Sequence, residues 1–173
     1  MKRIFIDPGK CDGCMNCSLA CMNAHRAAPV PGTAPDPGAT VEEQSVYTLD
    51  LTDPTNEARN FIHADGKGGY LPLFCRHCAR PECVSSCMSG ALQRDQAAGQ
   101  VRYDPEKCAA CFMCVMNCPY GLPKPDQLTR SKVVKCDFCV RLAAGPSCVR
   151  ACPTGALWIE EVAADTPDLE DVK

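Results

Sequence analysis

Cys108-Ala109-Ala110-Cys111-Phe112-Met113-Cys114-Val115-Met116-Asn117-Cys118-Pro119 sets its cysteines in a C-x2-C-x2-C-x3-C rhythm with a proline directly after the last. The same rhythm stands near the start of the chain at Cys11, Cys14, Cys17 and Cys21. Looser versions occupy Cys75, Cys78, Cys83, Cys87 and Cys136, Cys139, Cys148, Cys152, where Pro153 follows. These four quartets use all sixteen cysteines. Thiols three residues apart on one loop converge on a common centre more readily than they face separate disulfide partners.

Three chemistries compete for such thiols. A disulfide framework is permitted by the even count, but Asp7 and Pro8 interrupt the N-terminus before a signal-peptide apolar stretch can form. A cytoplasmic, reducing setting is therefore expected, where disulfides do not persist. Structural zinc is the stronger rival, because paired C-x2-C units are its usual signature. Each quartet, however, carries its own fourth cysteine, and two are followed by proline (Cys118-Pro119, Cys152-Pro153). That is the run that ligates [4Fe-4S] clusters, and four such cubes would engage all sixteen thiolates. Covalent haem and radical S-adenosylmethionine chemistry are set aside, since neither C-x2-C-H nor C-x3-C-x2-C occurs.

Composition fits an interior filled by clusters. One Trp, five Phe, fifteen Pro and twelve Gly in 173 residues leave little bulky apolar material for so many loops. The formal charge of -3 becomes about -11 once four cubes of charge about -2 each are ligated. No basic stripe suggests nucleic acid, and no window approaches the apolar length of a membrane span.

The quartets come in two kinds. Ile6-Asp7-Pro8-Gly9-Lys10-Cys11 recurs as Tyr103-Asp104-Pro105-Glu106-Lys107-Cys108, each after a short β-like stretch (Arg3 to Ile6, Gln100 to Tyr103). Cys83-Val84-Ser85-Ser86-Cys87-Met88-Ser89-Gly90-Ala91-Leu92 recurs as Cys148-Val149-Arg150-Ala151-Cys152-Pro153-Thr154-Gly155-Ala156-Leu157. Ala91 to Arg94 and Val101 to Tyr103 are read as a hairpin joining the second and third quartets. By elimination, Arg3 to Ile6 must pair with Ala156 to Val162. The expected fold is α+β: two nested ferredoxin-like two-cluster units with short antiparallel hairpins, small helices and long loops. The outer unit is 1–21 plus 119–162 and the inner unit is 75–118, with an inserted loop region at 22–74 and an acidic tail at 163–173.

In two-cluster proteins the fourth cysteine of a run ligates the other cluster, because it already lies on a departing helical turn. The expected ligand sets are therefore Cys11, Cys14, Cys17 with Cys152; Cys136, Cys139, Cys148 with Cys21; Cys75, Cys78, Cys83 with Cys118; and Cys108, Cys111, Cys114 with Cys87.

With Pro119-Tyr120-Gly121 after the third quartet and Lys135-Cys136-Asp137-Phe138-Cys139 opening the fourth, residues 1–21 and 70–162 resemble four-cluster electron-transfer subunits of multisubunit oxidoreductases. Members of that family serve dimethyl sulfoxide reductases, formate dehydrogenases, hydrogenases, carbon monoxide dehydrogenases and tungsten aldehyde oxidoreductases. The resemblance implies paired ferredoxin-like units, four [4Fe-4S] clusters, a separate catalytic oxidoreductase subunit and a ferredoxin or flavoprotein electron partner. Tungsten aldehyde oxidoreductase or carbon monoxide dehydrogenase is the preferred catalytic partner. The sequence departs from the ferredoxin pattern in the C-x4-C and C-x8-C spacings of quartets two and four, and in Met22 and Met88 where proline is common.

Elsewhere, 27–40 reads as an extended Pro/Gly/Ala loop and 40–51 as holding a strand, both in an insertion suited to partner contact. Lys10, Lys107 and Lys135 each precede a quartet and read as solvated lysines. Trp158 and Phe138 read as apolar filler, Gly66-Lys67-Gly68-Gly69 as a turn, and His25, His63 and His77 as having no ligand role. No nucleophile-base pair or nucleotide fingerprint points to catalysis by this chain. The alternatives carried forward are a self-associating electron-conducting assembly protein and a zinc-dependent interaction module.

Overall fold

The computed structural model describes residues 1–26, 49–163 and 166, so the loop read over 27–40, most of the strand read over 40–51 and nearly all of the tail lie outside the described residues. Within them the fold is α+β, with four two-stranded antiparallel sheets and four helices, three of which are four residues long.

Strand β1 (Lys2–Ile6) pairs with β8 (Leu157–Glu161), setting Ile4 opposite Ile159 and Ile6 opposite Leu157. This is the pairing of the segments before Cys11 and after Cys152 that the repeats require. The middle hairpin is also present: β4 (Leu92–Arg94) pairs with β5 (Val101–Tyr103). After β1 and β5 the chain makes equivalent 3-10 turns, Pro8–Lys10 and Pro105–Lys107. In each, an aspartate caps the turn: Asp7 accepts from Gly9 N–H at 3.0 Å and Asp104 from Glu106 N–H at 3.0 Å. Proline at the first turn position costs nothing there because its missing N–H would be unpaired anyway.

Two further hairpins were not anticipated. Strands β2 (Phe61–Ala64) and β3 (Tyr70–Leu73) flank the Gly66–Gly69 turn, where Asp65 Oδ1 accepts from Lys67 N–H at 2.7 Å and Gly69 N–H at 2.8 Å. Short strands β6 (Lys124–Pro125) and β7 (Val133–Val134) form the other, and Val133 N–H donates to the Tyr103 hydroxyl at 3.0 Å.

Each helix carries cysteines. Helix α1 (Asn16–His25) packs against α4 (Ser147–Arg150), and α2 (Glu82–Ser85) against α3 (Met113–Met116). The aliphatic cores are small and mixed with thiols. One joins Ile4, Ile6, Phe74, Phe138 and Leu157 to Cys17 and Cys148; the other joins Leu92, Val101 and Val133 to Cys114. Phe138 is thus filler, as read. Trp158 stacks on Phe5 at 5.9 Å and its Nε1 donates to Glu160 at 2.6 Å.

Candidate metal centres

All four quartet loops share one backbone feature. The residue before the second cysteine has a left-handed conformation in each: Gly13 (φ 74°), His77 (φ 46°), Ala110 (φ 50°) and Phe138 (φ 60°). For residues other than glycine this conformation costs roughly 1–2 kcal/mol. Such local strain persists only where surrounding structure imposes it, and it gathers at functional sites. Here it turns each loop between its first two cysteines.

Thiols from distant parts of the chain meet at these loops. Cys11, Cys14 and Cys17 line one cavity together with Cys152. A second is lined by Cys108, Cys111, Cys114 and Cys87. These are two of the crossed groupings expected from the sequence, here called sites 1 and 4. Burial raises the Cys148 thiol well above its ordinary range, and Cys136, Cys21, Cys139 and Cys17 add to the rise. Burial also pushes Cys83 up to about 11, with Lys135 opposing and Cys75, Cys118 and Cys114 adding. The other two sets expected from the sequence, Cys21, Cys136, Cys139 and Cys148, and Cys75, Cys78, Cys83 and Cys118, are called sites 2 and 3.

The same effect acts in the two cavities. Burial takes Cys17 up to about 11 with help from Cys152 and Cys11, and raises Cys114 with help from Cys87 and Cys108. Thiols held where they oppose one another's ionisation suit a cationic iron core, which binds thiolates and releases their protons. Two fourth cysteines are tuned the other way. Burial would raise Cys87 and Cys152, but Leu92 N–H (3.4 Å) and Ser89 Oγ (3.7 Å) lower the first, while Thr154 Oγ1 (3.6 Å) and the Ala156 and Leu157 N–H groups lower the second. The sequence duplication is therefore repeated in the contacts to sulfur.

Further donors reach site 2, where Arg59 N–H lies 3.3 Å from Cys21 Sγ and Phe138 N–H 3.4 Å from Cys136 Sγ. His77, in the site 3 loop, is 1% exposed; it accepts from Val101 N–H at Nδ1 (3.0 Å), and its Nε2 has no hydrogen-bond partner among the described residues. Ser147 Oγ, beside Cys148, is likewise buried without one among them. Burying such donors unpaired is costly. Inorganic sulfide acceptors at these sites would satisfy them, so the residues fit an iron–sulfur cofactor.

The only described His, Cys and carboxylate group tight enough for a single ion is His25, Asp137 and Cys139, with ligand atoms within 4.8 Å. Its geometry is that of an ion pair. His25 Nε2 lies 2.9 Å from Asp137 Oδ1, His25 Nδ1 lies 2.7 Å from the Cys21 carbonyl, and Arg59 lies 3.1 Å from the other Asp137 oxygen. Burial would lower the His25 pKa, yet Asp137, Cys139 and Cys21 hold it up at about 11. His25 therefore has a structural part beside site 2 that sequence reading missed.

The three lysines before quartets divide. Lys10 and Lys107 are more than half exposed and paired with Asp7 (3.1 Å) and Asp104 (3.2 Å), as solvated lysines should be. Lys135 contradicts that reading. It is 4% exposed, and its Nζ donates to the carbonyls of Val101 (3.0 Å) and Cys136 (2.7 Å).

Repeated cysteine loops that gather thiols from distant quartets, with no catalytic constellation among the described residues, mark an iron–sulfur electron carrier. Sequence comparison agrees. The profile described as the 4Fe-4S dicluster domain matches residues 67–162. The beta subunit of NADH-dependent phenylglyoxylate dehydrogenase from Aromatoleum evansii is 36% identical over 159 residues, covering 89% of this chain and 29% of that protein. A subunit of anaerobic dimethyl sulfoxide reductase from Escherichia coli K12 is 35% identical over 156 residues, 88% of this chain and 70% of the relative. Protein NrfC from the same strain is 35% identical over 168 residues, 95% and 66% respectively. The chain thus spans less than a third of the first relative and about two thirds of the others. The chain belongs to the 4Fe-4S dicluster domain family, with relatives among the iron–sulfur electron-transfer subunits of oxidoreductase complexes. No helix among the described residues is long and apolar enough to cross a membrane.

Proposed function

We propose that the chain holds four [4Fe-4S] clusters in two nested two-cluster units and relays single electrons along them. The ligands are Cys11, Cys14, Cys17 and Cys152 at site 1; Cys21, Cys136, Cys139 and Cys148 at site 2; Cys75, Cys78, Cys83 and Cys118 at site 3; and Cys87, Cys108, Cys111 and Cys114 at site 4. The outer unit is 1–21 plus 119–162 and the inner is 75–118. When bound, each cluster supplies one-electron redox chemistry.

The observation that carries the reading is the lining of two cavities: each gathers three cysteines of one loop with the fourth cysteine of a distant quartet, Cys11, Cys14 and Cys17 with Cys152, and Cys108, Cys111 and Cys114 with Cys87. Cys14 of site 1 and Cys111 of site 4 are exposed, whereas Cys21, Cys139 and Cys148 of site 2 are buried and the site 3 cysteines are half-buried. Sites 1 and 4 are therefore the outlets of the conduit, with sites 2 and 3 between them. The net charge of about -11 in the loaded state favours basic docking patches on both partners.

One outlet meets a catalytic oxidoreductase subunit and the other a ferredoxin or flavoprotein. The sequence favours a tungsten aldehyde oxidoreductase or carbon monoxide dehydrogenase as the first, and the names of the relatives add a dimethyl sulfoxide reductase type. Anaerobic reconstitution is expected to yield about sixteen irons and sixteen labile sulfides per chain, with broad visible absorption. Anaerobic co-purification then identifies the large subunit. A colourless zinc protein, or iron near eight per chain, would overturn the four-cluster reading.

A further inference from the structure

The middle of the proposed conduit holds a buried lysine where the ends have solvated ones. Lys135 is 4% exposed, and Val101 ties it to His77: the Val101 carbonyl accepts from Lys135 Nζ at 3.0 Å, and the Val101 N–H donates to His77 Nδ1 at 3.0 Å. One strand residue thereby fixes a cation from the fourth quartet and an imidazole from the second. The ammonium is thus bonded to the carbonyl of the site 2 ligand Cys136 and tied through Val101 to His77 of the site 3 loop, and it opposes the rise that burial gives the Cys136 and Cys83 thiols.

The surrounding charges make this cation distinctive. Asp137, the carboxylate that also influences His77, is already engaged by His25 at 2.9 Å and Arg59 at 3.1 Å. Among the described residues, no carboxylate lies within ion-pair distance of Lys135; its two acceptors are the carbonyls of Val101 and Cys136. A buried ammonium needs a countercharge. At sites 1 and 4 the corresponding lysines, Lys10 and Lys107, face solvent and are paired with aspartates. Salt and water screen exposed charges far more than buried ones. His77 adds a donor: Val101 N–H occupies Nδ1, so the ring proton sits on Nε2, which is buried and has no hydrogen-bond partner among the described residues.

We propose that Lys135 is the countercharge of the two central clusters, favouring their reduced, more negative state over that of the clusters at the two ends. This rests on the four-cluster reading above. An electron entering at either outlet would then fall toward the middle, so that the conduit stores charge as well as passing it. Lys135 is a positioning residue in this scheme, since it acts on clusters it does not ligate.

The test is an anaerobic potentiometric titration of the full chain followed by electron paramagnetic resonance. Lys135→Gln keeps a donor and removes the charge; Lys135→Arg keeps the charge. The end signals are identified as those altered in Cys14→Ser and Cys111→Ser. The Gln variant is expected to lower the reduction equilibrium constants of the two central centres at least tenfold, or 59 mV for one electron. The end centres should change less than threefold, and the Arg variant should stay within threefold at all four. Loss of clusters in the Gln variant but not in the Arg variant would also support the countercharge. The proposal is overturned by a fully loaded Gln variant with unchanged central potentials, by an equal shift at all four centres, or by the same loss in both variants. If the native chain holds far fewer than about sixteen irons, it is the four-cluster reading that fails.

Discussion

Gly13→Ala gives a quantitative test of how the β2–β3 hairpin shelters site 1. Gly13 lies between Cys11 and Cys14 at φ 74°, and an added Cβ would stand 2.4 Å from Tyr70 Cζ and 2.5–2.6 Å from the neighbouring ring carbons. Two costs follow, and they separate cleanly. The left-handed backbone costs alanine about 1 kcal/mol, and the chain demonstrates that the loop accepts this, because Ala110 holds the equivalent place in the third quartet at φ 50°. The ring must also move. Tyr70 is 37% exposed and sits at the end of β3, so it can swing outward. About 100 Å² of enclosed ring corresponds to about 2.5 kcal/mol, and an outward swing should forfeit a little under half of it, roughly 1 kcal/mol. The sum is about 2 kcal/mol, or about thirtyfold; in a Tyr70→Ala background only the backbone cost remains, about fivefold. The assay is the rate at which visible absorbance is lost in guanidinium under anaerobic conditions, since irreversible unfolding is read as a rate. An equal factor in both backgrounds would show that Tyr70 does not cover the loop, and the sheltering argument would fall.

Two further outcomes are expected. Cys87→Ser should alter the spectroscopic signal that Cys111→Ser also alters and leave the one marked by Cys78→Ser unchanged; the opposite pattern would refute the crossing of fourth cysteines. Glu57, nearly buried, pairs with Lys124 at 3.1 Å and accepts from Gln127 N–H at 2.8 Å, fastening the segment after residue 49 to β6. Glu57→Ala should cost about 3 kcal/mol, and Glu57→Met with Lys124→Leu should recover most of it, because removing one partner strands a buried charge and removing both does not. Denaturation midpoints of the three proteins check this, and an additive double variant would contradict it.

Much of this architecture was legible because cysteines leave an unambiguous record in one dimension. The Asp-Pro-x-Lys-Cys repeat located the two capped turns, and elimination paired β1 with β8 across more than 150 residues. What escaped depends on contacts that sequence proximity does not encode. Pro72 within Tyr70–Leu73 argues against a strand by the usual rule, yet it sits in a two-stranded sheet where one side needs no partner. Lys135 reads like Lys10 and Lys107, and it is distinguished by burial and by contacts such as that with the carbonyl of Val101, 34 positions earlier.

The left-handed loop positions were invisible for a different reason. Gly13 alone announces such a conformation; His77, Ala110 and Phe138 adopt it against their own preference. A glycine, an imidazole, a methyl and a phenyl share no intrinsic property that would favour one backbone shape. The conformation must therefore be imposed by what the four loops do have in common, which is a pair of cysteines at C-x2-C spacing. The loop is shaped by its thiols rather than by the residues between them, and the intervening positions are left free to serve their surroundings. At 13 the absent side chain makes room for Tyr70, at 77 the ring receives the Val101 N–H, and at 138 the phenyl fills the core beside Ile4 and Leu157.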